Sequence, residues 1–473
     1  MVGVPRSRGC ALCVKRRVKC DERLPGCAKC ETYGRPCPGY GRGFKFVAGK
    51  PFRTRRGQLA STSNEAGPKE AESMNPPGSD FGSSRVAFIH RETPASVVSG
   101  DMNLCQSLSV LVNDFAYSGL GNQRHVVAQW FGLLPSIYGQ NTMLDAAIKS
   151  FVAHHFGRTT QNEQMVVYAR CAYGEALQRL RKSLVKPGEC LSSHVFCAVV
   201  LLCLYELFMD TENPESWMKH ARGLCQLVRM RGPARHTNEL DIALLKASRG
   251  LIVMHSMFSG EECFLASEEW HYMMRHQYTS DMSPEFHNSI EQFFAYFTLA
   301  PSLVHKMYRL REIDVSTPQA SQIISHALEQ ALDMQGKLDL WYQGWLQLAP
   351  PPIEAVSTEN DHLFPIILTY RDMIDATIYC GYYSYMVIIH ETLKTFGYPG
   401  SHEALVVYFL DQICQSIEFA STGLLGPYRM GFPLRVAIEV ADPATKSWII
   451  ERLQEFSNVY AAARPETYQE TSK

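Results

Sequence analysis

Six cysteines near the amino terminus follow a regular spacing that predicts a metal centre. They are Cys10, Cys13, Cys20, Cys27, Cys30 and Cys37, in the pattern C-x2-C-x6-C-x6-C-x2-C-x6-C. Each C-x2-C pair can place two thiolates on one metal ion at the start of a short helix. The two halves of the pattern have the same internal spacing, which predicts two pseudo-symmetric metal-binding loops, each a short helix followed by a loop.

The number of thiolates restricts the kind of site. Six thiolates cannot supply two separate four-ligand tetrahedral sites, but they can do so if two sulfur atoms bridge both metals. Zinc suits this arrangement because it is tetrahedral, binds thiolates and has no redox chemistry. A disulfide knot fits poorly because Met1 to Cys10 contain no apolar stretch of the kind that a secretory signal requires. Iron–sulfur sequences have other spacings, so the pattern favours two zinc ions over an iron–sulfur site or chance.

Basic residues fill the interval between the second and third cysteines. They are Lys15, Arg16, Arg17 and Lys19. Residues 10–37 carry seven basic and three acidic side chains, whereas two Zn²⁺ and six thiolates together have a formal charge of about −2. The segment therefore stays positive and can approach phosphates, and its guanidinium groups can reach O6 and N7 of guanine. These features predict double-stranded DNA as a partner.

The charge of the chain is distributed unevenly. The first 60 residues carry 15 Lys plus Arg and 3 Asp plus Glu, a net charge of +12, and the remainder has a net charge of −13. A basic head on an acidic body is typical of a nucleic-acid-binding arm, although a solvated basic tail has the same composition. The cluster of Lys50, Arg53, Arg55 and Arg56 has three interpretations: a nuclear import signal, further phosphate contacts or a solvated linker.

Three zones follow from composition and periodicity. Residues 1–40 are rich in cysteine and basic residues, and residues 41–100 are rich in Gly, Ser, Pro and charge, which predicts a flexible linker. Residues 101–473 have high apolar density with helical periodicity and scarce period-two alternation, which predicts a large all-α domain.

Two helices of this domain are predicted in detail. Asn141 is a candidate N-cap for a helix that carries Leu144, Ile148, Phe151 and His155 on one face and stops at Gly157. A second helix is predicted between Asn213–Pro214 and Gly232–Pro233. Its apolar stripe consists of Trp217, Ala221, Leu224 and Val228.

Several other functions are not supported by the sequence. The longest apolar run, from Val195 to Tyr205, is shorter than the roughly 20 residues of a membrane span. There is no Walker loop, nucleophile elbow or dinucleotide fingerprint, and Lys394 replaces the second histidine of an HExxH motif that begins at His390. We therefore expect neither an enzyme nor a membrane protein. The nine cysteines outside the head are interpreted mainly as small buried hydrophobic residues.

With these residues in view, the head resembles the DNA-binding domain of the fungal binuclear zinc-cluster transcription factors. The resemblance spans Cys10 to Cys37 and includes the basic run, Asp21 and Pro25. It implies that Cys10 and Cys27 bridge the two metals. It also implies that the first helix enters the major groove and reads CGG-like triplets through Arg16 and Arg17, with Lys15 close by and Lys19 nearer the DNA backbone.

The body is similar to a fungal-specific regulatory domain found downstream of such clusters. The similar stretches are Cys37–Pro38–Gly39–Tyr40, Tyr205–Glu206, Trp217 to His220, Arg231–Gly232–Pro233 and Pro433–Leu434 to Trp448. Trp217 is interpreted as a core anchor, and Glu206 is expected to cap a helix or pair inside the bundle. The resemblance implies a nuclear regulator of RNA polymerase II transcription that contacts the transcription machinery or co-regulators.

One feature of many such regulators is missing. Residues 41–100 contain Gly and Pro at intervals too short for a heptad coiled coil. Monomeric binding and a homodimer formed through the helical body both stay open. The alternative function is a zinc-stabilised scaffold without specific DNA binding, although such a scaffold has no need of Arg16 and Arg17.

Overall fold

The computed structural model divides the chain into two units. These are Met1–Ala87 and Phe88–Lys473. The structure describes residues 11–21, 23, 27–35, 37, 101–117, 129–208, 216–276, 282–311, 317–359 and 361–464. The predicted 41–100 linker, the basic cluster at 50–56, Cys10 and Pro25 lie outside these residues, so the predicted domain boundaries remain predictions.

The first unit contains two short helices, as the repeated cysteine spacing predicts. Helix α1 is Ala11–Lys15 and helix α2 is Ala28–Thr32. Each helix carries one cysteine in its interior, Cys13 and Cys30 respectively. This part of the head has a core made of cysteine, since the buried cluster of Cys13, Cys27 and Cys30 is joined by Leu12, Cys20 and Cys37.

The second unit is a helical body, which confirms the predicted fold class. Its α-helices in chain order are α3 Asp101–Tyr117, α4 Leu134–Ile137, α5 Thr142–Thr159, α6 Glu163–Leu184, α7 Ser193–Phe208, α8 Ser216–Arg231, α9 Glu239–Ser259, α10 Glu268–Arg275, α11 Pro284–Phe297, α12 Ala300–Arg311, α13 Pro318–Leu348, α14 Met373–Thr395, α15 His402–Ala420, α16 Gly426–Val440 and α17 Pro443–Ser457. Short 3₁₀ turns are Gln129–Leu133, Pro233–Arg235, Phe264–Ala266 and Ala461–Ala463.

Side-chain caps define where several of these helices begin. The Asn141 side chain accepts hydrogen bonds from the backbone N–H groups of Met143 and Leu144, which confirms the predicted N-cap of α5. Asn162 and Asp372 cap α6 and α14 in the same way. Each cap satisfies backbone donors that the first helical turn cannot satisfy internally.

Helix α5 continues past the glycine at which the sequence predicted its end. It stops at Thr159, and Gly157 is a buried residue inside it. A Cβ atom at Gly157 would lie 2.8 Å from Cγ2 and 2.9 Å from the backbone nitrogen of Val166, the residue on α6 that it faces. The glycine is therefore needed for the close approach of α6 and not for helix termination.

Helix α7 runs through the core of the body. Every residue from Val195 to Leu207 is buried, which explains the long apolar run in the sequence. Helix α8 buries the predicted stripe of Trp217, Ala221, Leu224 and Val228, and it ends at Arg231 before Gly232, whose φ is 65°. The predicted cap at Asn213–Pro214 lies outside the described residues.

A small β-hairpin is added to the helices. Strands β1 Ile353–Val356 and β2 Ile366–Thr369 pair antiparallel, with Ile353 opposite Thr369 and Val356 opposite Ile366. Each strand has four residues, which is too short to show clear alternation, and β1 is largely exposed. In the described residues no helix is long and apolar enough to cross a membrane.

Candidate metal centre and nucleic-acid interface

The structure brings five of the six predicted ligands together. Two groups of thiols have all their sulfur atoms within 4.8 Å of one another: Cys13, Cys20 and Cys27 form the first, and Cys27, Cys30 and Cys37 form the second. Among the described residues, these are the sets of three His, Cys, Asp or Glu side chains with metal-ligand spacing. The sixth predicted ligand, Cys10, lies outside the described residues.

The sulfur–sulfur distances fit zinc thiolates and not disulfides. Cys27 Sγ lies 3.6 Å from Cys13 Sγ and 4.0 Å from Cys37 Sγ. A tetrahedral zinc ion with Zn–S bonds of about 2.3 Å separates its sulfur ligands by about 3.8 Å, whereas a disulfide has an S–S length of about 2.05 Å. Cys27 belongs to both groups, the position that a bridging thiolate would occupy.

The clustered cysteines are buried. Cys13, Cys27 and Cys30 have no exposed surface. Without metal such buried thiols would stay protonated, whereas a bound zinc ion would hold them as thiolates and neutralise their charge. The donor set thus fits two zinc ions, each of which would neutralise part of the thiolate charge and fix one half of the head.

Side-chain interactions join the two halves of the head. The Asp21 carboxylate accepts a 3.1 Å hydrogen bond from the backbone N–H of Ala28, so the residue after the third cysteine caps the helix after the fourth. Arg23 forms an exposed ion pair of 2.7 Å with Glu31. These contacts were not predicted, because Asp21 lies seven residues before the helix whose N–H it accepts.

Helix α1 ends in a Schellman motif with an arginine in the left-handed position. The backbone N–H of Val18 donates to the carbonyl of Cys13 at 3.1 Å, and Arg17 between them has φ of 56°. Glycine is the usual residue there, because a Cβ in the left-handed region costs about 1 kcal/mol or more. The sequence therefore keeps a large cationic side chain where the backbone favours glycine.

The structure divides the basic run into one partly buried residue and three exposed residues. The Arg16 guanidinium lies 3.4 Å from the centre of the Tyr33 ring and donates to the carbonyl of Lys29 at 3.4 Å. Lys15, Arg17 and Lys19 are exposed. Arg16 thus connects the two halves of the head, an arrangement that depends on Tyr33 and that no local sequence signal indicated.

The body stretches singled out in the sequence form buried polar contacts. The Tyr173 hydroxyl donates to Glu206 and lies 3.0 Å from Nε2 of His220, so Glu206 pairs inside the bundle as expected. Burial and the bond to Glu206 raise the pKa of Tyr173 far above its usual value, which keeps the hydroxyl protonated as a donor. Trp217 is 4% exposed, in agreement with a core anchor.

Polar contacts also account for two other stretches. The guanidinium of Arg231 forms a buried ion pair of 2.7 Å with Asp241, linking the end of α8 to the start of α9. The indole nitrogen of Trp448 donates to the Asp361 carboxylate at 2.6 Å. Both arrangements position helices, so they explain these residues as parts of the framework.

Most of the cysteines outside the head behave as packing residues, and one pair of histidines is buried with them. Six of these cysteines are buried: Cys197, Cys203, Cys225, Cys263, Cys380 and Cys414. Burial raises the pKa of the Cys225 and Cys380 thiols to about 12, so both stay protonated at neutral pH. The Nδ1 atoms of His390 and His402 lie 3.1 Å apart, and burial lowers the pKa of His390 to about 4.

Comparison with known proteins links both units to described families. Residues 129–463 match the fungal specific transcription factor domain, and residues 8–45 match the fungal Zn(2)-Cys(6) binuclear cluster domain. An uncharacterized protein of Emericella nidulans is 25% identical over 194 residues, which are 40% of this chain and 41% of that protein. The aspercryptin biosynthesis cluster-specific transcription regulator atnN of the same organism is 58% identical over 36 residues, which are 7% of this chain and 6% of the regulator. No solved structure matches the chain.

Proposed function

Because the chain belongs to the fungal specific transcription factor family and carries a Zn(2)-Cys(6) binuclear cluster domain, we propose that it reads CGG-like triplets in the major groove of DNA. The chain is a zinc-cluster transcription regulator, and its families are those of transcription factors. The finer proposal is that it acts in the nucleus on RNA polymerase II promoters. In this proposal the helical body contacts the transcription machinery or co-regulators.

The observation that carries the proposal is the exposed cation at the end of α1. Arg17 is exposed and lies in a left-handed conformation that glycine would adopt at lower cost. The backbone around Arg17 is fixed by the hydrogen bond from the Val18 N–H to the carbonyl of Cys13, a residue whose thiol belongs to the cluster. A guanidinium held in this way can form the bidentate contact with O6 and N7 of guanine that discriminates guanine from other bases.

The neighbouring lysines support a division of tasks within the basic run. Lys15 and Lys19 are exposed, and an ammonium group is a point charge suited to phosphate oxygens. Arg16 stacks on Tyr33, so its contribution is to brace the head. We therefore assign base reading to Arg17 and backbone contacts to Lys15 and Lys19.

The oligomeric state is part of the same proposal. The segment 41–100 contains Gly and Pro too frequently for a heptad zipper. The chain either binds DNA as a monomer or dimerises through its helical body, and the two cases differ in the DNA that they select. A monomer selects one triplet, whereas a symmetric dimer selects two triplets at a fixed spacing.

Selection from random DNA tests the proposed function. Zinc-loaded full-length protein is incubated with duplexes that contain a randomised 24-base-pair region, and bound DNA is amplified and sequenced over several rounds. We expect enrichment of CGG-like triplets, and their number and spacing report monomer or dimer binding. Zinc-loaded protein that enriches no sequence would overturn the proposal in favour of a scaffold that uses its zinc cluster structurally.

A further inference from the structure

The helical body contains an apolar cavity with no assigned role. It has a volume of about 130 Å³ and is bounded by α9, α11, α14 and α16. Aromatic side chains form much of its wall: Phe293, Phe294 and Phe297 of α11, and Phe432 of α16. An apolar cavity of about 150 Å³ is large enough to admit benzene, so this volume suits a single small aromatic ring or a short branched aliphatic group.

Positive charge is concentrated at this apolar wall. Three cationic side chains line the cavity, Lys246 and Arg249 from α9 and Arg429 from α16, whereas its lining among the described residues contains no carboxylate. An apolar space edged by cations is suited to a molecule with an apolar body and a negatively charged end.

Two of these cations share one carboxylate. Glu291 is buried and accepts from Arg249 at 2.6 Å, while its other oxygen lies 3.4 Å from the ammonium of Lys246. Lys246 also lies 2.7 Å from Nε2 of His287, and burial together with Lys246 lowers the pKa of that histidine, so it is neutral at pH 7.

Arg249 has hydrogen-bonding capacity that the described residues do not use. Arg249 is 2% exposed, and its Nε and Nη2 atoms have no hydrogen-bond partner in the described part of the chain. The guanidinium lies 3.3 Å from the centre of the Phe294 ring, which contributes to the cavity wall. Buried guanidinium donors are costly to leave unsatisfied, and an anion in the cavity would satisfy them.

We propose that this cavity binds a small organic carboxylate whose apolar body is about the size of a benzene ring. The ring or branched chain packs against the phenylalanines, and the carboxylate accepts hydrogen bonds from Lys246 and Arg249. This site is separate from the DNA-reading head in both chemistry and residues. The inference therefore goes beyond the proposed function and does not depend on it.

Binding of matched anionic and neutral probes tests the proposal. Benzoate and benzamide have nearly the same shape, but benzoate alone carries a charge at pH 7. With zinc-loaded full-length protein, isothermal titration calorimetry should show saturable binding of benzoate at one site per chain. The affinity for benzamide should be lower by about tenfold or more, because benzamide lacks the charge-assisted hydrogen bonds. Equal binding of the two probes, or no binding of benzoate, would overturn the proposal.

A charge-removing variant tests the role of the Lys246 ammonium in binding the anion. Lys246→Met keeps the length of the side chain and leaves Glu291 paired with Arg249, so no buried carboxylate loses its last cation. We expect benzoate affinity to fall about tenfold or more with benzamide binding unchanged. Lys337→Met, at an exposed lysine of α13, is the matched control and should leave both probes unaffected. Unchanged benzoate affinity in Lys246→Met would contradict the assignment of the anion site.

A cavity-filling variant tests the location. Gly250 lines the cavity, and a Cβ atom there would meet Tyr428 Oη at 3.4 Å as its one near neighbour in the described residues. Gly250→Ala should keep the protein folded, as checked by circular dichroism. Gly250→Leu should then abolish benzoate binding by occupying the space. Benzoate binding that survives in a folded Gly250→Leu protein would show that the ligand binds elsewhere and would overturn the proposal.

Discussion

Arg17 combines an exposed guanidinium with a backbone conformation that favours glycine. The Arg17→Gly change therefore removes the side chain without straining the backbone, and it relieves a cost of about 1 kcal/mol. We expect the zinc-loaded head to keep its stability. The binding free energy for CGG-containing DNA should weaken by about 1–3 kcal/mol, toward its value for random duplex. Fluorescence anisotropy titrations on both duplexes measure this, after zinc content has been shown to be unchanged.

The comparison between the two duplexes decides the role of Arg17. An equal loss of affinity on specific and random DNA would make Arg17 a phosphate contact, and Arg16 would become the next candidate for base reading. Arg16→Ala has a different expected signature in this structure. Because Arg16 stacks on Tyr33 and donates to Lys29, its removal should also lower the thermal stability of the zinc-loaded head.

Lys19 should behave as a phosphate contact. The Lys19→Ala change removes one exposed positive charge near the third cysteine. We expect affinity for specific and random DNA to fall by a similar factor, and the slope of log affinity against log salt to become shallower by about 0.9. Lys29→Ala, at an exposed lysine of the second half, controls for the loss of net charge alone. A loss confined to specific DNA would contradict a phosphate role for Lys19.

The residues of the head illustrate what the sequence can and cannot predict. Cysteine spacing identified the metal centre because ligand geometry imposes that spacing directly. The different environments of Arg16 and Arg17 could not be predicted. They depend on the contact of Arg16 with Tyr33, a residue of the other half of the head. The left-handed backbone at Arg17 also has no sequence signal, because arginine is an unusual residue for that conformation.

Among the helices, the pair α5 and α6 provides the clearest test of packing. Gly157→Ala places a methyl group within 3 Å of Val166, including its backbone nitrogen at 2.9 Å, so the helices must separate. We expect a loss of about 1–3 kcal/mol in the free energy of unfolding. Gly174→Ala in α6 has open space and should instead stabilise by up to about 1 kcal/mol. Urea unfolding followed by circular dichroism measures both changes in the free energy of unfolding. Changes of the same sign in the two variants would contradict this packing.

Trp217 tests the interpretation of α8 as a core helix. It is 4% exposed and belongs to the main hydrophobic core. Trp217→Ala should destabilise the body by about 3–5 kcal/mol, measured by thermal unfolding. DNA binding below the unfolding temperature should be retained, because metal and not the body folds the cluster. An unchanged unfolding temperature would contradict the core role.

Helix positions were predicted where a local signal sets them. Asn141 caps α5 because a short side-chain acceptor at that position satisfies nearby N–H groups. Gly157 was misread as a helix end because the same residue type also permits close packing, and only the partner helix distinguishes the two uses. The β1–β2 hairpin was not predicted, since its four-residue strands are defined by their pairing with each other.

For the chain as a whole, composition predicted a cysteine-rich head and a helical body, while the exact domain boundaries stay predictions. A head of net charge +12 and a remainder of −13 follow directly from the sequence. The helical body confirms the predicted fold class of the larger part of the chain. The cavity in the body could not be predicted, because Lys246, Arg249, Glu291 and Arg429 come from three helices that only the tertiary fold brings together.

The central claim is that the zinc cluster holds a base-reading surface, so specific DNA binding and zinc must be lost together. The most direct measurement is the affinity of the full-length protein for a CGG-containing duplex and for a duplex of the same composition with the triplets scrambled. Both are titrated before and after zinc removal by a chelator. We predict a preference of about tenfold or more for the CGG duplex in the zinc-loaded protein, its disappearance on chelation, and unchanged helical circular dichroism of the body. Equal affinity of the zinc-loaded protein for both duplexes would contradict the claim.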